Sequence, residues 1–130
     1  MQNAECLMQN EVIMDGNTVV EKSFDFAVRT VNLYKYLTKT HKEYTLSKQI
    51  LRCGTSIGAN VAEAPRGQSK ADFISKMSVA LKEANETHYW LKLLYKTEYI
   101  SKAQFDSLEK DTMELIGILM AICKTANANR

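Results

Sequence analysis

The chain has 130 residues, 45% of them hydrophobic and 25% charged, with one Pro and five Gly. That length suits a single domain, and so few helix breakers exclude an all-β protein built on many tight turns. A net charge of +2 and a pI near 8.4 are too mild to demand a nucleic-acid partner. No apolar run approaches the roughly 20 residues that cross a bilayer.

The first residues lack a basic start followed by an apolar run, so export is not expected. Cys6, Cys53 and Cys123 are odd in number and widely spaced, which suggests neither a disulfide framework nor a paired-cysteine metal site. These features predict a soluble protein of the reducing cytoplasm with no membrane partner.

Residues 1 to 20 show no sustained period and contain the turn signal Asp15-Gly16-Asn17. They are expected to form a flexible leader, with the domain over 21–130, and the start codon is open among Met1, Met8 and Met14.

Four periodic runs follow. The first helix is predicted from Ser23, as the cap, to Lys39, with Phe26, Thr30, Leu33 and Leu37 on one stripe and Ala27, Val31 and Tyr34 widening it. The second is predicted from Thr45 to Ala64 on the stripe Leu46, Ile50, Cys53, Ile57, Val61 and Ala64, and Pro65 and Gly67 stop it. The third opens at Ser69 with Asp72 three residues on, and runs to Lys96 through Phe73, Met77, Ala80, Leu81, Ala84, His88, Leu91 and Tyr95. The fourth opens with the capping-box pattern Ser101 to Gln104 and carries Phe105, Leu108, Leu115, Ile118, Leu119 and Ile122. Linkers of a few residues force neighbours to run antiparallel, so the predicted fold is an all-α, up-down-up-down four-helix bundle.

Charge is unevenly spread. Residues 1 to 20 hold three acids and no Lys or Arg, and 71 to 130 balance. The basic surplus therefore lies between 21 and 70, on the first two helices. Lys35, Lys39 and Lys42 are spaced to line one helix face and run into the loop, and Lys48 with Arg52 repeats the spacing of four. These five are the candidate nucleic-acid contacts, against the alternative of a solvated basic face. Few aromatics interleave with the lysines, so reading of single strands by stacking is not expected.

Gly54, Gly58 and Ala62 repeat every four residues and allow another helix to come close, either inside the bundle or across an oligomer interface. Tyr89, Trp90 and Leu93 lie partly off the core stripe and are read either as an interface or as a wide core face. Arg52, Ser56, Asn60 and Glu63 could bond Glu83 or Glu86 and fix helix register.

Enzyme readings lack their chemistry. A di-metal bundle needs Glu-x-x-His on two helices, whereas the nearest string here is Asn85-Glu86-Thr87-His88. His88 reads as a core or interface histidine, His41 sits in a polar loop, and Cys53 reads as a small buried hydrophobe. No catalytic residue, metal or cofactor is proposed.

The strings Ser56-Ile57-Gly58-Ala59-Asn60-Val61-Ala62-Glu63-Ala64, Phe73-Ile74 and Ala80-Leu81-Lys82-Glu83-Ala84-Asn85-Glu86-Thr87-His88-Tyr89-Trp90-Leu91 resemble the 23S rRNA-intervening sequence protein family. The similarity spans about Ser23 to Thr125, including Phe24-Asp25-Phe26-Ala27 and Leu46-Ser47-Lys48-Gln49-Ile50. The resemblance implies a bacterial four-helix bundle without assigned catalytic residues. Through related accessory proteins of diversity-generating retroelements, it also implies a homo-oligomer, a pentamer foremost, with RNA or DNA as partner. Those retroelement proteins are markedly basic and this chain is not, so the resemblance carries oligomerisation across better than binding.

Overall fold

The computed structural model describes residues 18–128. Residues 1–17, most of the expected leader, and the last two residues lie outside it.

Helix α1 spans Val19–Thr40, four residues earlier than the sequence predicts. Thr18 is the cap, its Oγ1 accepting the Glu21 N–H at 2.9 Å, and Glu21 places an acid in the first turn, where the helix dipole favours it. Ser23, the predicted cap, is buried inside the helix, and its hydroxyl donates to the Val20 carbonyl at 3.2 Å. The apolar row begins at Val19, which is buried, so a start at Ser23 would leave that side chain outside the stripe it completes.

Helix α2 spans Leu46–Glu63. Thr45 makes no side-chain cap. The buried Glu43 takes that role: Oε1 accepts the Thr45 N–H at 2.8 Å, and Oε2 accepts Leu46 at 2.9 Å and Ser47 at 3.2 Å. A single 3-10 turn, Ala64–Arg66, then carries Pro65, whose ring forbids a further helical hydrogen bond.

Helix α3 spans Lys70–Lys96 and helix α4 spans Lys102–Ala128. Their predicted caps are in place. The Ser69 hydroxyl accepts from Asp72 N–H at 3.1 Å, and Ser101 and Gln104 bond reciprocally at 2.7 and 3.1 Å.

Cross-helix pairs fix the directions. Gly54 lies against Thr30 and Gly58 against Ser23; Arg52 meets Glu83 while Glu63 meets Lys76; His88 meets Glu109 while Ser78 meets Cys123. In each pairing one number falls as the other rises, so successive helices are antiparallel. The C-terminus of α1, the N-terminus of α2, the C-terminus of α3 and the N-terminus of α4 share one end of the bundle.

Phe26, Leu37, Ile57, Phe73, Met77, Leu91, Leu94, Leu115 and Leu119 fill the centre. Each such side chain stabilises the fold by about 1.5–3 kcal/mol when fully buried. Buried Thr30, Thr87 and Thr112 donate to carbonyls one turn back, and among the described residues no buried side-chain N or O atom lacks a partner. No described helix is long and apolar enough to cross a membrane.

The fourth seam, between α1 and α4, differs from the other three. Its helices touch least, and it is bridged by polar groups: Arg29 donates to Asp111 Oδ2 at 2.6 Å, Ser107 Oγ at 2.8 Å and the Ser107 carbonyl at 3.3 Å, while Lys22 pairs with Glu114 at 3.1 Å.

Candidate nucleic-acid interface

Lys35 and Lys39 stand one turn apart on the exposed side of α1, Lys42 lies in the α1–α2 connection, and Lys48 is in the first turn of α2. All four are exposed and none forms an ion pair with a described residue. The antiparallel topology adds Lys92 and Lys96 from the end of α3 and Lys102 from the start of α4, also exposed, to the same end. Sequence reasoning missed these three because residues 71 to 130 balance in charge as a stretch. The signal that could have found them is the topology itself, which folds a neutral segment so that its lysines gather at a turn.

Three acids lie at the same end, and they differ in what they offset. Glu43 is buried and committed to the backbone of α2, Asp106 pairs with Lys102 at 2.7 Å, and Glu98 sits in the α3–α4 connection. The Asp106 contact, with its hydrogen bond first, raises the Lys102 ammonium pKa above its ordinary value.

Arg52 belongs elsewhere. Its NH1 lies 3.1 Å from Glu83 Oε2 and its NH2 bonds Glu86, so its charge is spent on the α2–α3 seam rather than offered to a phosphate. The hydrogen bond to Glu86 raises the guanidinium pKa, and Glu86 is held below the usual carboxylate range by the Trp90 indole N–H and then by Arg52. Of the proposed register set, Arg52 alone reaches Glu83 and Glu86. Ser56 and Asn60 bond carbonyls of their own helix, and Glu63 pairs with Lys76.

The small-residue row faces two ways. Gly54 and Gly58 serve the α1–α2 contact within the chain: a Cβ on Gly54 would stand 2.6 Å from the Thr30 side chain, and one on Gly58 would stand 3.0 Å from the Ser23 carbonyl. Ala62 is exposed. Tyr89 and Trp90 also part company. Tyr89 is 56% exposed, whereas Trp90 packs on the core and donates to Glu86 at 3.1 Å.

The remaining candidates settle into structure. His88 Nε2 lies 2.8 Å from Glu109 between α3 and α4. Cys53 is buried, and burial raises its thiol pKa, which makes it a poor nucleophile. No cluster of three or more metal-ligating side chains occurs among the described residues.

At the lysine-rich end, the two connections meet around aromatic rings. His41 is edge-on to Tyr36 at 5.1 Å and to Tyr99 at 5.5 Å between centroids, and its Nε2 lies 3.1 Å from the Tyr36 hydroxyl. An open cavity of about 510 Å³ is lined there by Tyr36, His41, Tyr95, Glu98, Tyr99 and Gln104, among others.

The sequence profile described as 23S rRNA-intervening sequence protein matches residues 16–121, which is most of the chain and all but the end of α4. The chain belongs to the 23S rRNA-intervening sequence protein family. The crystal structure of a protein of unknown function from the S23 ribosomal protein family of Bacteroides thetaiotaomicron VPI-5482 is 57% identical. It superposes with a TM-score of 0.80 over 82% of this chain and 95% of its own. A comparison with curated proteins gives no match. That protein thus shares the helical architecture described above, and neither finding carries an enzyme activity.

Proposed function

We propose that this family member is a non-enzymatic, homo-oligomeric accessory factor that binds RNA or DNA in the cytoplasm through the lysine-rich end of the bundle. One observation carries the reading: six exposed lysines with no ion pair to a described residue, Lys35, Lys39, Lys42, Lys48, Lys92 and Lys96, come from both halves of the sequence to one end of the bundle, joined there by Lys102, which Asp106 partly neutralises. Phosphate binding by such a set is electrostatic and carries no sequence information by itself. The surplus on one chain is modest, and a ring of copies, a pentamer foremost, multiplies it. Relatedness to proteins named for an insertion in 23S rRNA supports RNA over DNA as the first partner to test.

The test is fluorescence anisotropy of the oligomer, its mass fixed by light scattering, against labelled structured RNA and duplex DNA at about 50 and 200 mM salt. Saturable binding that weakens with salt is expected. The double variant Lys35→Glu, Lys39→Glu is expected to bind more weakly and to flatten the salt slope by about 2, one for each lysine that no longer neutralises a phosphate.

A protein-interaction scaffold is the second reading. Val20, Phe24 and Val28 form an exposed row at spacing four on α1, with Phe24 66% exposed, and such a row suits a protein surface better than a phosphate. A well-folded oligomer that binds neither nucleic acid at about 50 mM salt would sink the first reading and leave this one.

A further inference from the structure

We infer that the cavity between the α1–α2 and α3–α4 connections receives one unpaired nucleobase of a structured RNA, so that the protein favours a duplex carrying a bulged or flanking single-stranded residue. The inference rests on the nucleic-acid reading of this end and adds to it what the end recognises.

Three features of the cavity argue for a base rather than a phosphate. Four aromatic rings line it: Tyr36 from α1, His41 from the first connection, and Tyr95, itself stacked on Phe105, and Tyr99 from the end of α3 and its connection. His41 is exposed, and its ring meets those of Tyr36 and Tyr99 at interplanar angles of 75° and 85°, so neither tyrosine is stacked parallel on it. A flat ring laid on an imidazole face is a favourable arrangement, and every base has such a ring.

The polar groups at the rim suit base edges. Gln104 uses Oε1 to cap α4, which leaves its Nε2 donors, and the exposed Glu98 offers a carboxylate that would repel a phosphate but accepts from an exocyclic amine. Cations flank the cavity: Lys42 follows His41 directly, Lys39 is two residues before it, and Lys102, its ammonium held by Asp106, is part of the lining. A nucleotide would therefore enter with its base inward and its phosphates toward the lysines.

The backbone around the cavity is set by the fold. Lys42 at φ 54° and Glu98 at φ 69° both adopt the left-handed conformation, one in each connection. Paired left-handed residues turn the two loops sharply, and His41 and Tyr99 flank those turns. About 510 Å³ lies within the range of small-ligand sites, roughly 300–1,000 Å³.

The experiment uses the full-length protein and an RNA hairpin with a single bulged 2-aminopurine, beside the same hairpin in which that base is paired. The bulged hairpin is expected to bind about 10-fold more tightly, the low end of what one stacked base is worth, with a change in 2-aminopurine fluorescence on binding. His41→Ala, at an exposed position, and Tyr99→Ala, checked by its melting curve, are expected to abolish the preference and the fluorescence change while binding the paired hairpin as before. Tyr99→Phe is expected to keep both. Equal affinity for the two hairpins, or a preference that survives His41→Ala, overturns the inference while leaving the lysine-rich end as a nucleic-acid contact. Failure to bind either hairpin overturns both. Displacement of the hairpin by adenosine monophosphate at micromolar concentration overturns the RNA assignment in favour of a free nucleotide.

Discussion

Gly54 and Gly117 both occupy helix interiors, yet an added methyl group meets opposite surroundings. At Gly54 it would press on Thr30, a β-branched side chain whose hydroxyl is held by the Phe26 carbonyl at 2.9 Å. At Gly117 nothing lies within 4 Å. Alanine gains about 1 kcal/mol over glycine in helix propensity, and overpacking costs about 1–3 kcal/mol, so Gly54→Ala is expected to lose up to about 2 kcal/mol and Gly117→Ala to gain up to about 1. Urea unfolding of the two variants beside the parent checks both signs. The spacing of Gly54 and Gly58 was legible in sequence; which helix they served was not. Identical periodicity suits a neighbour in the same chain or in another, and only the positions of Thr30 and Ser23 decide between them.

At the scale of the helix, polarity and punctuation made the elements readable. Ser69 and Ser101 behave as caps because each side chain is short enough to reach an orphan N–H of the first turn, and the longer Gln104 side chain reaches back to the Ser101 N–H. One start deceived for a physical reason, and another has a cap that was not foreseen. Ser23 looks like a cap but is small enough to be buried in the α1–α2 contact, and Thr45 yields to Glu43, whose longer side chain folds over the start of α2. Glu43→Ala is expected to destabilise the protein by about 1–2 kcal/mol, the cost of removing a cap and leaving its N–H groups to poorer partners. Circular dichroism during urea titration would show that change. An unchanged midpoint would mean that water caps α2 equally well.

For the whole molecule, the fold was legible because breakers are few and the apolar stripes clear, and the family because strings such as Ser56 to Ala64 and Ala80 to Leu91 resemble it. The concentration of charge was not. A tally along the chain assigns the surplus to α1 and α2, whereas the antiparallel arrangement recruits Lys92, Lys96 and Lys102 and removes Arg52 to a seam with Glu83 and Glu86. The aromatic group was hidden in the same way. Tyr36 and Tyr99 are 63 residues apart in sequence, and His41 unites them by touching each. Stacking was discounted from sequence because aromatics and lysines rarely alternate locally, but two connections meeting at one end interleave them in space.

The uneven closure of the bundle also sets an order of opening. Helices α2 and α3 each have two close neighbours, while α1 and α4 have one apiece and share a seam joined by Arg29 and Lys22. Local stability follows such differences in packing. In hydrogen–deuterium exchange, amides of α1 and α4 along this seam are expected to exchange before those at the middle of α2 and α3, and Arg29→Ala to hasten α1 and α4 selectively. Uniform exchange across all four helices would show that the bundle opens as one unit. If the order holds, the molecule behaves as a rolled ribbon whose free edges part first, and the two edge helices contribute Tyr36 and Gln104 to one cavity wall.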